Sequence, residues 1–124
     1  MNRTTYTISE LAKAFDITPR TIRFYEDLGL LSPSRDGQQR IYSSGDWVRL
    51  QLIIRGKRLG FSLAESKEII TLYNPSGTNK RQLEVMLGTI KKSRQRLKQQ
   101  LQDIDAMEKE LNDAEQRCLA AIGT

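Results

Sequence analysis

The chain has no histidine, one cysteine and three prolines in 124 residues. Without imidazole, and with Cys118 as its one thiol, it cannot assemble the ligand sets that hold most transition metals. No metal and no cofactor is therefore expected. The same absences remove the commonest general acids, bases and nucleophiles, so enzymatic catalysis is not expected either. A single cysteine makes no internal disulfide, which suits a reducing compartment. No apolar run approaches the roughly 18 residues of a membrane span. The opening MNRTTYTISE lacks the apolar stretch of a signal peptide. These absences together predict a cytoplasmic chain with no membrane partner.

What remains is 38% hydrophobic and 28% charged, enough for a modest core under much exposed surface. The length suits one compact domain, or a small domain with an appended helix. A net charge of +5 and a pI near 9.6 lean towards an anionic partner, though only mildly. Where the charges fall matters more than their sum.

Thr7-Ile-Ser-Glu10 has the form of a capping box, and Ile8, Leu11 and Phe15 follow at helical spacing. After a connection through Asp16-Ile17, Thr18 reads as an N-cap with Pro19 at the first helical position, and Gly29 reads as a stop. Arg20 and Arg23 lie about 60° apart on this second helix and share one stripe. Two short helices with basic residues on the second form a helix-turn-helix pattern, although any helical hairpin has the same outline. Next, 32-SPSRDGQQRIYSS-44 carries Asp36-Gly37 as a hairpin turn signal between Arg35 and Arg40. Its flanks read as too polar for a buried strand pair, predicting a projecting hairpin, or wing, with a basic tip. A helix is expected from Ser44 to Gly60, with Trp47, Val48, Leu52 and Ile53 towards the core. Ser62-Leu-Ala-Glu65 is a second capping box opening 63-LAESKEIITLY-73, which Asn74-Pro75 ends. Between these helices, 57-KRLGFS-62 makes a second basic projection, and the N–H groups at Ser62 are candidates for a phosphate.

The stretch 74-NPSGTN-79 reads as a linker, and the sequence changes character beyond it. Leu83, Ile90, Leu97, Ile104, Leu111 and Cys118 recur every seven residues, while Leu87, Leu101 and Ile122 fall in the second register of a coiled-coil seam. Residues 80–98 hold seven basic side chains and one acidic, a net +6; residues 99–124 hold two basic and six acidic, a net −4. A parallel pair would set like charge against like, whereas an antiparallel pair matches opposites. The expectation is a winged helix-turn-helix domain over residues 1–76, then an antiparallel coiled-coil dimerisation helix and short tail over 77–124. The fold class is mainly α. Leu83, Leu87, Ile90, Leu97, Leu101, Ile104 and Leu111 are the expected dimer contacts. In such a dimer the two Cys118 residues lie far beyond disulfide reach.

Along nearly its whole length the chain resembles the MerR family of bacterial transcription regulators. The resemblance rests on 7-TISELAKAFDITPRTIRFYEDLGLL-31, 40-RIYS-43, 58-RLGFSLAESKEI-69 and the long helix, in that order. Within the family it is most similar to the LiuR branch, associated with control of branched-chain amino-acid and fatty-acid breakdown genes. The resemblance implies DNA contacts from Arg20, Arg23 and Tyr25, with Thr21 a weaker candidate, from Arg40 in the first wing, and from Lys57 and Arg58 by the second; Thr18 at the cap and Arg35 in the hairpin join them as candidates by position. Where many members have a tyrosine pair this chain has Phe24-Tyr25, and Phe24 is expected to pack. It also implies double-stranded promoter DNA, a homodimer, RNA polymerase and a small-molecule effector as partners. Acyl-CoA thioesters or their acids are the effectors the branch suggests. The mechanism it implies is bending and untwisting of an overlong promoter spacer, with most contacts to phosphate and few to bases.

Two other readings compete. Excisionase-like DNA-bending factors share a similar winged helix-turn-helix but do not need a 40-residue dimer helix. A coiled-coil adaptor that binds protein would leave the basic segments merely solvated.

Overall fold

Side-chain caps begin four of the helices at the positions their chemistry dictates. Thr7, Ser43 and Ser62 each accept the backbone N–H of an acidic residue three places on, whose carboxylate accepts the cap's own N–H in return. Thr18 accepts from Thr21 ahead of Pro19. The structure, a computed structural model, describes residues 4–123; residues 1–3 and 124, at the outer ends of the two expected domains, lie outside it. The elements run β1 (Thr5–Thr7), α1 (Ile8–Phe15), α2 (Pro19–Asp27), β2 (Ser34–Asp36), β3 (Gln39–Ser43), α3 (Ser44–Arg58), α4 (Leu63–Thr71) and α5 (Lys80–Gly123). They separate into two compact units, residues 1–89 and 90–124. The first ten residues of α5 thus belong with the first unit.

In that unit the strands form one antiparallel sheet in the order β1-β3-β2, with Tyr6 opposite Tyr42 and Arg35 opposite Arg40. This corrects the reading of the hairpin as a free two-stranded projection. β1 is only three residues long, too short to show an alternating pattern, yet it covers one edge of β3. Tyr42 in β3 is fully buried, so one large side chain anchors a strand that is mostly polar to the core. The turn also shifts by one residue. Asp36 pairs with Gln39, leaving Gly37-Gln38 as the loop, with Gly37 at φ +65°. A glycine in that conformation at the first loop position suits the tight hairpin turns.

The core joins Leu11, Ile22, Tyr25, Leu30, Leu31, Tyr42, Leu50, Ile53 and Ile70. On α3 its centre is Leu50 with Ile53, and the half-buried Trp47 and Leu52 pack against it as expected; Val48 is half-buried outside the cluster. Trp47 packs there between Tyr6 and Phe15, with both ring centroids 4.7 Å away. Asp46, 1% exposed, is satisfied by the N–H groups of Ser32 and Ser43 and by Arg49, which fastens the start of the hairpin to α3. α3 and α4 approach closely at Gly56, where a Cβ would come within 2.7 Å of the Ser66 hydroxyl oxygen. No helix among the described residues is long and apolar enough to cross a membrane.

In α5 the expected seam is exposed. Leu83, Leu87, Leu97, Leu101, Ile104 and Leu111 are all more than half accessible, and Ile90 is half-buried. Gln82 and Thr89 are buried within the first unit instead.

Candidate nucleic-acid interface

Thr18 fixes the start of α2. Its hydroxyl oxygen accepts the Thr21 N–H at 3.1 Å and lies 2.9 Å from the Thr21 hydroxyl, so these two candidates are engaged with each other in the cap. Behind the cap, Ile22 and Tyr25 sink into the core and fix the rotation of the helix. That rotation sends residues 20, 23, 24 and 27 outward together, the i, i+3, i+4, i+7 set that shares one helical face.

Burial sets the two aromatics of this helix differently from the expectation. Tyr25, expected to touch DNA, is 7% exposed and part of the core cluster. Phe24, expected to pack, is 52% exposed. The exchange follows from helical spacing. Tyr25 sits three residues after Ile22 and shares its inward face, while Phe24 sits four after Arg20 and shares the outward one.

Arg20, Arg23, Phe24 and Asp27 line one open cleft with Arg40 of β3. The arginine stripe of α2 and the β2–β3 hairpin therefore meet. A carboxylate organises the meeting. Arg40 Nε donates to Glu26 Oε2 at 2.7 Å, and the Tyr42 hydroxyl makes a long 3.5 Å contact with the same oxygen. The Arg40–Glu26 pair is only about a quarter exposed, so it is a fixed strut more than a solvated surface pair. It also relieves the repulsion of Arg40 from Arg35, directly opposite on β2. Burial, with the negative charge of Glu26 next, pushes the Tyr42 phenol up to about 12 and keeps it neutral. Sequence reasoning passed over Glu26, although its place beside the arginine stripe and the Arg-x-Tyr of β3 was readable.

Lys57, in the last turn of α3, lines a neighbouring apolar cleft with Phe24, Tyr25, Ile53, Phe61, Leu63 and Ser66. Phe24 thus borders both clefts and joins the first wing's side to the second's. Arg35 and Arg58 are exposed, and neither lines these clefts. Among the described residues, Arg20, Arg23, Arg35, Lys57 and Arg58 have no acidic partner in salt-bridge range. Unpaired cations on and around α2 form a surface suited to a polyanion. At the N-terminus of α4 the capping box takes up two of the N–H groups: that of Ser62 donates to the Glu65 carboxylate at 2.8 Å and that of Glu65 to the Ser62 hydroxyl at 3.1 Å, which sets a negative charge at that end. No cluster of potential metal ligands occurs among the described residues.

Residues 6–72 match the family described as MerR HTH family regulatory protein, and residues 48–114 match the one described as MerR, DNA binding. The chain is 33% identical over 102 residues to the HTH-type transcriptional activator mta of Bacillus subtilis, covering 81% of this chain and 39% of that protein. It spans roughly two fifths to half the length of the first curated relatives it matches. A MerR family transcriptional regulator from Bacillus cereus superposes with a TM-score of 0.67 at 31% identity, covering 88% of this chain and 78% of that one. HiNmlR, a MerR family regulator lacking the sensor domain and bound to promoter DNA, superposes with a TM-score of 0.59 at 25% identity, covering 79% and 76% of the two chains.

Proposed function

We propose, because this chain belongs to the MerR family of helix-turn-helix regulatory proteins, that it is a sequence-specific DNA-binding transcription regulator that acts at a promoter. It is not an enzyme, in keeping with relatives that are transcription regulators. The observation that carries the reading is the convergence of Arg20, Arg23 and Arg40 on one open cleft, with Arg35 and Lys57 unpaired nearby. Arginines on the helix suit base edges in the major groove, and the flanking cations suit phosphates.

The regulator works as a homodimer in the cytoplasm. Large apolar side chains stand exposed along α5 at sevenfold spacing, and a second copy is the occupant that fits. The basic first half and acidic second half of that helix favour the antiparallel arrangement. Two binding units on one duplex then supply contacts enough to hold a bent, untwisted spacer, whose deformation costs several kcal/mol, of order 1–6 by elastic estimates. RNA polymerase would read the realigned promoter elements. The likeness to the LiuR branch extends the proposal to genes of branched-chain amino-acid or fatty-acid breakdown, with an acyl-CoA or related acid as effector.

Footprinting on genomic fragments across a salt series tests this reading. Protection between the two polymerase elements is expected, weakening steeply with salt. Arg23→Ala is expected to cost about tenfold or more in affinity for the selected site, while Arg35→Ala flattens the salt slope by about 1. Absence of salt-sensitive protection on every fragment would sink the reading.

A further inference from the structure

We infer that Phe24 determines sequence specificity by packing its exposed ring on the 5-methyl group of a thymine in the major groove. The inference rests on the DNA-binding function proposed above and goes beyond it to one base and one side chain.

The outward face of α2 has a composition that a phosphate-binding surface would not have. Arg20 and Arg23 are followed on the same stripe by an apolar ring, Phe24, and by an exposed carboxylate, Asp27. Asp27 makes no ion pair among the described residues and would repel a phosphate. The cations without such an acid on their own stripe lie elsewhere, Arg35 on β2 and Lys57 and Arg58 at the end of α3. The wings therefore suit the backbone, and the α2 stripe, with two donors, an apolar group and an acceptor, suits base edges.

A large aromatic that is 52% exposed loses hydration favourably only when something apolar covers it. In the major groove the thymine methyl is the apolar feature of the base edges. Tyr25, with its ring centroid 5.8 Å away, and the apolar cleft it shares with Ile53, Phe61 and Leu63 cover part of the Phe24 ring and leave the rest, 52% of the residue, open. Phe24 follows Arg20 by four residues, about 6 Å along the helix axis. That is close to two base-pair steps of about 3.4 Å. The thymine should thus lie within about one to three pairs of the guanine contacted by an arginine.

The test starts with site selection by the full chain from random duplexes. Each thymine of the selected site is then replaced singly by deoxyuridine, which deletes only the methyl. Affinities are measured for the native protein, Phe24→Ala and Phe24→Leu. At one position per half-site, deoxyuridine should weaken the native protein about fourfold, the worth of one buried methyl. Phe24→Ala should bind thymine and deoxyuridine sites alike, and Phe24→Leu should retain part of the preference. Equal deoxyuridine penalties in the native protein and Phe24→Ala would overturn the inference. So would the lack of any penalty in the native protein, a measurement independent of how the variants fold. A uniform loss of affinity in Phe24→Ala with penalties unchanged would place the ring against sugar and overturn it too. If the native protein selects no site, the regulator reading falls and takes this inference with it; a selected site without a methyl effect removes the inference alone.

Discussion

Tyr42 shows how one side chain in a polar strand can hold a wing in place. Its ring is fully buried, while its hydroxyl meets the Glu26 carboxylate that also holds Arg40. Ionising that phenol in the folded protein would put a second negative charge beside Glu26 in a buried site. The folded value near 12 lies above the ordinary 10.0, so the native state keeps a proton that the unfolded chain has already released. The contribution is complete below pH 10 and is lost as pH rises towards 12, by roughly 2–3 kcal/mol across that window. Chemical denaturation of the native protein and Tyr42→Phe over that range checks it. The variant is expected to lose less stability between pH 10 and 12, because every other ionisable side chain is common to both proteins. Parallel curves for the two proteins would disprove the assignment.

At the scale of the elements, two helical glycines have opposite surroundings. Gly56 lies where α3 meets α4, with the Ser66 hydroxyl at 2.7 Å and the Phe61 ring at 3.2 Å from any added Cβ. Gly88, inside α5, has nothing within 4 Å. Gly56→Ala is therefore expected to destabilise the first unit by about 1–3 kcal/mol through overpacking. Gly88→Ala should stabilise α5 by about 0.5–1 kcal/mol, because alanine gives up less backbone freedom in a helix. Thermal unfolding of both variants should show shifts of opposite sign. A neutral Gly56→Ala would mean that the α3–α4 contact yields more readily than its geometry indicates.

For the whole molecule the leading question is the second copy. An exposed seam of leucine and isoleucine running from residue 83 to 111 is a large apolar surface for one chain to leave in water. Cys118 is exposed and is the one thiol, so a spin label can be attached there without other changes. In an antiparallel pair centred midway along the seam, at Leu97, the labels stand about 60 Å apart at 1.5 Å of rise per residue. A parallel pair would bring them within roughly 15 Å, near the 10 Å spacing of packed helices. A short distance would reject the antiparallel arrangement, and no intermolecular signal at high concentration would reject the dimer.

The sequence by itself determined the local structure. Caps at Thr7, Thr18 and Ser62, the stop at Gly29 and the heptads of α5 depend on neighbours a few residues away, so they could be read in order along the chain. It also carried the arginine stripe, because helical spacing alone places Arg20 and Arg23 together. Tertiary structure decided what depends on partners distant in the chain. β1 exists because β3 offers an edge more than thirty residues later, and Tyr42 is core because the sheet is closed on that side. Arg40 is oriented by Glu26, fourteen residues before it. Which aromatic of Phe24-Tyr25 faces outward followed from the rotation of α2, set by Ile22 against the core. Period alone left that rotation open, since a short helix with apolar residues on several faces has more than one way to lie down, and only packing selects one.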